Sequence, residues 1–190
     1  MQHADHVALL EGKPGLREQA GAPIRGAGGA WADLGAGSGA FTLALVDLLD
    51  PGASIYAVDR EVRALNQLQR SVQAHASGQF ATKVSVLHTD FTRPLPLPVL
   101  DGVVMANSLH YLPDRDKPGF LNRLREMIRP GGQLTIVEYN TDRGNMWVPH
   151  PFSYQTWEKL AANSGYAKVA WLNSRPSRFL GEIYAAVAVT

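Results

Sequence analysis

Apolar residues recur along this chain with two alternating spacings. Short apolar runs, of the kind that fill strands covered on both faces, fall at Ala30 to Leu34, Ser54 to Asp59, Val84 to His88, Val99 to Ala106 and Gln133 to Tyr139. Two more strands are expected near Lys168 to Leu172 and Glu182 to Val189. The segments between them have helical spacing. Phe41 to Leu49 is apolar almost throughout, Glu61 to Ala76 lines up Val62, Leu65, Leu68 and Val72, and Asp116 to Ile128 sets Phe120, Leu121, Leu124, Met127 and Ile128 on one face. Pro118 falls in a first turn, where its missing N–H is tolerated. Tyr154 to Ser164 is a further helix, closed by Gly165. Breakers punctuate the series at Asp50-Pro51-Gly52, Arg129-Pro130-Gly131-Gly132 and the proline-rich connector Thr92 to Pro98. Parallel neighbours need crossover connections, so the alternation predicts an α/β fold: a doubly wound, mostly parallel seven-stranded sheet with helices on both faces. The last two strands have no helix between them and are expected to pair as a hairpin.

Composition narrows the partners more than the fold. Gly, Pro and Ala crowd Gly12 to Gly29, so residues 1–29 read as a lead-in helix and loop and residues 30–190 as one domain. A chain of 190 residues, 45% hydrophobic and 18% charged, can bury one sizeable core and has no mark of disorder. Its 18 basic and 17 acidic residues leave a net charge of +1 without a basic run, so neither nucleic acid nor an anionic membrane is an expected partner. The absence of cysteine excludes a disulfide framework, a thiolate metal site and a cysteine nucleophile. The first residues lack the basic and apolar segments of a secretion signal, and no apolar stretch approaches the roughly 20 residues of a membrane span. A cytoplasmic location is the expectation; no feature of the sequence specifies an oligomeric state.

Ligands of a doubly wound sheet bind at the carboxyl ends of its strands, where strand order reverses. The first strand ends in Asp33-Leu34-Gly35-Ala36-Gly37-Ser38-Gly39-Ala40 and runs into a helix, the context that a glycine nucleotide loop requires. Glycines there let the backbone approach a ligand, and the helix start offers unpaired N–H groups. Asp59 ends the second strand, where a carboxylate can accept hydrogen bonds from both ribose hydroxyls. A tight turn also uses glycines, and Asp59 also suits a helix cap, so neither feature decides alone.

In order and spacing these motifs, with Val58-Asp59, Asp90-Phe91 and Arg129-Pro130-Gly131-Gly132, resemble the class I S-adenosylmethionine-dependent methyltransferases, most closely those acting on small molecules. The likeness runs from about Trp31 to the C-terminus. It implies a Rossmann-like methyltransferase fold for residues 30–190 and S-adenosylmethionine as cofactor. It further implies that Gly35, Gly37 and Gly39 pack on the methionine end, with Asp33 helping to position it, and that Asp59 holds the ribose. Asp90 would meet the adenine amino group, the Phe91 N–H a ring nitrogen, Arg60 the side of the adenine, and the Asn107 region the methionine ammonium. Asp90 equally suits a turn at the head of the proline-rich connector.

Methyl transfer from a sulfonium is a direct displacement that needs alignment and exclusion of water, with a general base optional. His110 is the first candidate base, and Tyr111, Tyr139 and His150 are alternatives. His110 and Tyr111 equally suit packing at the cofactor edge or a helix cap. Trp147 and Phe152, with Tyr154 and Trp157, form either an aromatic wall over a substrate or part of the core. The expected substrate residues are Tyr139, Trp147, His150 and Phe152. No metal is expected: Asn107, Glu138 and Asn140 near strand ends suit magnesium only in residue type, and the histidines show no close ligand pattern. The expected acceptor is a small molecule, since Asn107-Ser108-Leu109-His110-Tyr111 lacks the Pro-Pro-aromatic signature of base-amine methyltransferases and the lead-in before Trp31 is short. Two other readings stay open. A nicotinamide oxidoreductase also fits Gly35, Gly37, Ala40 and Asp59, although no tyrosine is followed four residues later by lysine. The other is a cofactor-binding module of the same fold without catalysis.

Overall fold

The apolar runs close into one seven-stranded sheet in the computed structural model, which describes residues 1–13, 15, 24–75 and 82–190. In chain order its elements are α1 (His3–Glu11), β1 (Ala30–Leu34), α2 (Ala40–Leu48), β2 (Ser54–Asp59), α3 (Val62–His75), β3 (Lys83–His88), β4 (Leu100–Ala106), a 3₁₀ turn (Leu109–Tyr111), α4 (Lys117–Met127), β5 (Ile128–Tyr139), α5 (Tyr154–Asn163), β6 (Lys168–Ser177) and β7 (Gly181–Val189). Strand order is β3-β2-β1-β4-β5-β7-β6. β1 to β5 run parallel, whereas β7 lies antiparallel to both β5 and β6. The expected hairpin therefore forms, and its second strand inserts beside β5. Most of the expected lead-in loop, and Ala76 at the expected end of α3, lie outside the described residues.

Strand pleating sends alternate side chains to opposite faces, and each face has its own helices. Leu34, Val103, Met105, Ile136 and Tyr184 pack beneath Phe120 and Leu124 of α4 and Trp157 of α5. Trp31, Ile55, Val104, Val137 and Ile183 pack instead against Leu9 and Leu10 of α1 and Phe41 and Leu45 of α2. Burial on both sides is the reason that the central strands read as unbroken apolar runs.

Two boundaries depart from the sequence pattern. The Arg129 to Gly132 breaker ends α4 but does not delay the next strand: Ile128 already pairs with Leu100, and a bulge absorbs the Pro-Gly-Gly segment before pairing resumes at Gly102 and Gln133. β6 continues five residues past Leu172, through Pro176. It lies at the edge of the sheet, where proline and polar side chains are tolerated because only one side needs ladder hydrogen bonds.

Candidate active site

Strand order turns at β1 and β4, and the loops after them flank a cleft of about 820 Å³, within the roughly 300–1,000 Å³ of small-molecule sites. Gly35, Gly37, Asp59, Arg60, Asp90, Phe91, Asn107 and Tyr111 all line it, with Phe120 and Arg123 of α4 on the far wall. Residues expected from four separate segments thus meet on one surface.

The glycine loop has local reasons for its sequence. Gly35 has φ +84°, and a Cβ there would sit 2.4 Å from the Ser108 Cβ, so only glycine lets the β1 and β4 ends close together. Its N–H and that of Ala36 donate to the Val58 carbonyl at 2.8 and 3.0 Å, tying the loop to β2. At Gly37, also with positive φ, a Cβ would meet nothing within 4 Å: the loop faces open cleft. Gly39 does not line the cleft. Its missing Cβ makes room for Leu68 of α3, so the described structure gives this glycine a packing role.

The acidic residues are also structural members. Asp59 Oδ2 accepts the Gly37 N–H at 2.8 Å and Oδ1 the Glu61 N–H at 2.8 Å. Asp59 therefore organises the turn into α3 while it lines the cleft. Asp90 accepts hydrogen bonds from the Thr92 N–H and hydroxyl, which hold its carboxyl below the ordinary range, and its side chain also lines the cleft. Asp33 is only 1% exposed. Burial pushes its carboxyl up to about 7, against the hydrogen bond that its Oδ2 accepts from the Thr42 hydroxyl at 2.6 Å.

Asn107 is the one non-glycine residue with positive φ among the described residues, at +52°. Such a conformation is uncommon outside glycine, and asparagine tolerates it best. Its N–H donates to the Val137 carbonyl at 2.8 Å, while its Oδ1 is buried with no hydrogen-bond partner among the described residues. An orphaned acceptor in a cleft wall is an unmet demand for a donor.

Just beyond Asn107, the 3₁₀ turn carries His110, 2% exposed, against Glu138, 0% exposed. Glu138 Oε2 accepts the His110 Nδ1–H at 2.6 Å, and Oε1 accepts the N–H groups of Leu109 and His110 at 3.0 and 3.3 Å. A carboxylate on Nδ1 leaves the Nε2 of the neutral ring as the lone-pair nitrogen, and this atom is buried with no partner among the described residues. Ser108 and Tyr111, on either side, line the cleft, and His110 lies behind them rather than in its lining. An imidazole held by a carboxylate, with its second nitrogen unused, is an arrangement suited to accepting a proton. Glu138 is the residue that sequence reasoning missed in this role. It was visible only as an oxygen ligand near a strand end, because its pairing with His110 depends on β4 and β5 lying side by side.

The four expected substrate residues do not form one wall. Tyr139 is near His110, with ring centroids 6.3 Å apart, and on its other side meets Phe179 of the β6–β7 hairpin at 5.8 Å. The His150 N–H donates to the His110 carbonyl at 3.1 Å, so the 143–152 loop is anchored beside the dyad through its backbone. Phe152 instead points into the core against Trp157, and Trp147 is 68% exposed. The reason lies in Asn145, whose side chain accepts the N–H groups of both Trp147 and Val148 and makes a turn that buries Val148 and leaves Trp147 on the surface.

A family model described as a methyltransferase domain matches residues 32–134, just over half of the chain. The carboxy-S-adenosyl-L-methionine synthase of Photorhabdus laumondii is 31% identical over 107 residues, 56% of this chain and 41% of that protein. The chain thus spans less than half the length of this curated relative. Among solved structures, the YcgJ protein of Bacillus subtilis matches with a TM-score of 0.70 at 10% identity, covering 99% of both chains. The magnesium protoporphyrin IX methyltransferase of Synechocystis PCC 6803, solved with bound S-adenosylmethionine, matches with a TM-score of 0.62 at 15% identity, over 87% of this chain and 71% of that one. At such identities the structural matches establish the fold, and the family match supplies the rest. With its glycine loop, acidic strand ends and strand order in one arrangement, the chain belongs to the class I S-adenosylmethionine-dependent methyltransferases.

Proposed function

We propose that this protein binds S-adenosylmethionine in the cleft at the β1 and β4 ends and transfers its methyl group to a small-molecule hydroxyl or amine, with His110 as the base. The observation that carries this reading is the buried Glu138–His110 dyad, with its unused Nε2, immediately beside a cleft lined by Gly37, Asp59, Asp90 and Asn107. The residues present fit the cofactor. Gly37 leaves open space where any side chain would intrude, Asp59 and Asp90 retain acceptor capacity for hydroxyl and amino donors, and the orphaned Asn107 Oδ1 suits an ammonium. When bound, the sulfonium supplies an electrophilic methyl group.

Everything else falls to the chain. Asp59 and Asp90 fix the nucleoside end, the 3₁₀ turn and α4 wall off water, and His110 Nε2 takes the proton that a hydroxyl or amine loses as it is methylated. Glu138 is a positioning residue that holds the ring in the tautomer able to accept at Nε2 and stabilises the imidazolium that results. The family match gives no support to the nicotinamide reading.

The test is a panel of phenols, carboxylic acids and amines incubated with S-adenosylmethionine, with methylated product read by mass spectrometry. A turned-over acceptor whose kcat falls by about 10²–10⁴ in His110→Ala, with S-adenosylhomocysteine still bound, supports the assignment. Binding of S-adenosylhomocysteine without methylation of any member of the panel would favour the non-catalytic module, and full activity of His110→Ala would remove the base.

A further inference from the structure

Away from the cleft, side chains from three elements converge where the first three helices meet. His3 opens α1, Asp47 lies in the last turn of α2 and His75 closes α3. Asp47 Oδ2 is 2.6 Å from His3 Nε2, and Oδ1 is 2.6 Å from His75 Nε2. The imidazole rings stand edge to face with centroids 5.7 Å apart, and the three potential ligand atoms all lie within 4.8 Å of one another. Each side chain is partly exposed, so an ion and its water have access. Nothing in the proposed methyl transfer uses these residues.

We propose that His3, Asp47 and His75 form a site for a divalent transition ion of the zinc type, with water completing a tetrahedron. The donor chemistry selects the ion class: imidazole nitrogens with one carboxylate suit Zn²⁺, Co²⁺ or Ni²⁺, whereas Mg²⁺ and Ca²⁺ favour oxygen throughout. The geometry is close to what the ion requires. Bonds of about 2.0–2.1 Å at a tetrahedral angle place donor atoms about 3.3 Å apart, so the contacts at 2.6 Å open by less than about 1 Å through rotation of part-exposed side chains.

An ion also replaces what now holds the cluster together. As it stands, Asp47 accepts an N–H from each ring at 2.6 Å. Metal binding at Nε2 moves each ring's N–H to Nδ1 and replaces the two hydrogen bonds by coordination bonds. His6, one turn further along α1, packs on Phe41 with centroids 4.8 Å apart and is not counted among the ligands.

The placement assigns the site a structural role. α2 begins at the glycine loop and α3 just after Asp59, so Asp47 and His75 sit at the ends of these helices remote from the cleft. An ion there pins α1 across both. It would raise stability without entering the reaction.

The tag-free 190-residue chain, stripped with a chelator, is titrated calorimetrically with ZnCl₂ near neutral pH, and thermal unfolding is followed with and without Zn²⁺ or Mg²⁺. The expected result is one Zn²⁺ per chain, a rise in Tm with Zn²⁺ but not Mg²⁺, and loss of affinity by about tenfold or more in Asp47→Asn and His75→Gln. His3→Gln, at the exposed start of α1, still melts cooperatively without metal yet loses the Zn²⁺ response. Absence of saturable binding by the wild type overturns the proposal, as does binding of unchanged affinity in both His3→Gln and Asp47→Asn. Either result would leave the methyltransferase reading intact.

Discussion

Asp33, next to last in β1, is an almost fully buried carboxyl with one oxygen held by Thr42 and the other, Oδ1, without a partner among the described residues. Its pKa rises from 3.8 to about 7, first through burial. A raised pKa means that the folded chain binds this proton more tightly than the unfolded one. The contribution of Asp33 to stability is therefore complete below pH 3.8 and is lost as pH rises to about 7, after which a buried charge remains. Asp33→Asn removes that dependence. In urea denaturation the variant is expected to lose less stability than the wild type between pH 5 and pH 8, and identical slopes would contradict this assignment. The glycine loop allows a second test at this scale. Gly35→Ala forces a Cβ against Ser108 at positive φ and is expected to cost about 2–4 kcal/mol of stability. Gly37→Ala meets no atom, so it is expected to cost about 1 kcal/mol in stability while weakening S-adenosylhomocysteine binding. Paired denaturation and calorimetry separate a packing glycine from a ligand-facing one.

At the scale of elements, the 143–152 loop is fixed by Lys117, a lysine almost wholly buried at the start of α4. Its ammonium donates to the His150 carbonyl at 2.7 Å, pairs with Asp114 and lies 5.1 Å from the centre of the Phe152 ring. Lys117→Met keeps the apolar stem but strands that carbonyl, for an expected loss of about 1–3 kcal/mol. Hydrogen exchange should then quicken at residues 145–150 ahead of the sheet; uniform exchange would show that the loop is held by other means. Legibility in the sequence follows the same division. Strands buried on both faces and the amphipathic stripe of α3 leave a periodic trace, so the order of elements was readable. The extension of β6 was not, because Asn173 to Ser177 pairs on one edge through its backbone and leaves no apolar signature. Nothing in the sequence marks Lys117 for burial, and Phe152 and Trp147 read as neighbours in one aromatic group. The Asn145 turn that sends them apart has only a weak local signal.

Across the whole molecule, the sheet does what no segment does alone: it brings residues from distant parts of the chain to one edge. The motifs at Gly35, Asp59, Asp90 and Asn107 each lie at or just past a strand end, so parallel order sufficed to gather them, and the cleft was legible. The Glu138–His110 and His3–Asp47–His75 contacts span 28, 44 and 28 residues and depend on register and helix packing that periodicity does not encode. Among the described residues no helix is long and apolar enough to cross a membrane. The central claim is that this edge holds the adenosyl cofactor, and calorimetry of the purified chain with S-adenosylhomocysteine tests it most directly. The predicted result is one ligand per chain, no heat from NADH, and binding weakened by about 1–3 kcal/mol in Asp59→Ala that still melts cooperatively. Failure of the wild type to bind, or undiminished binding by Asp59→Ala, would contradict it.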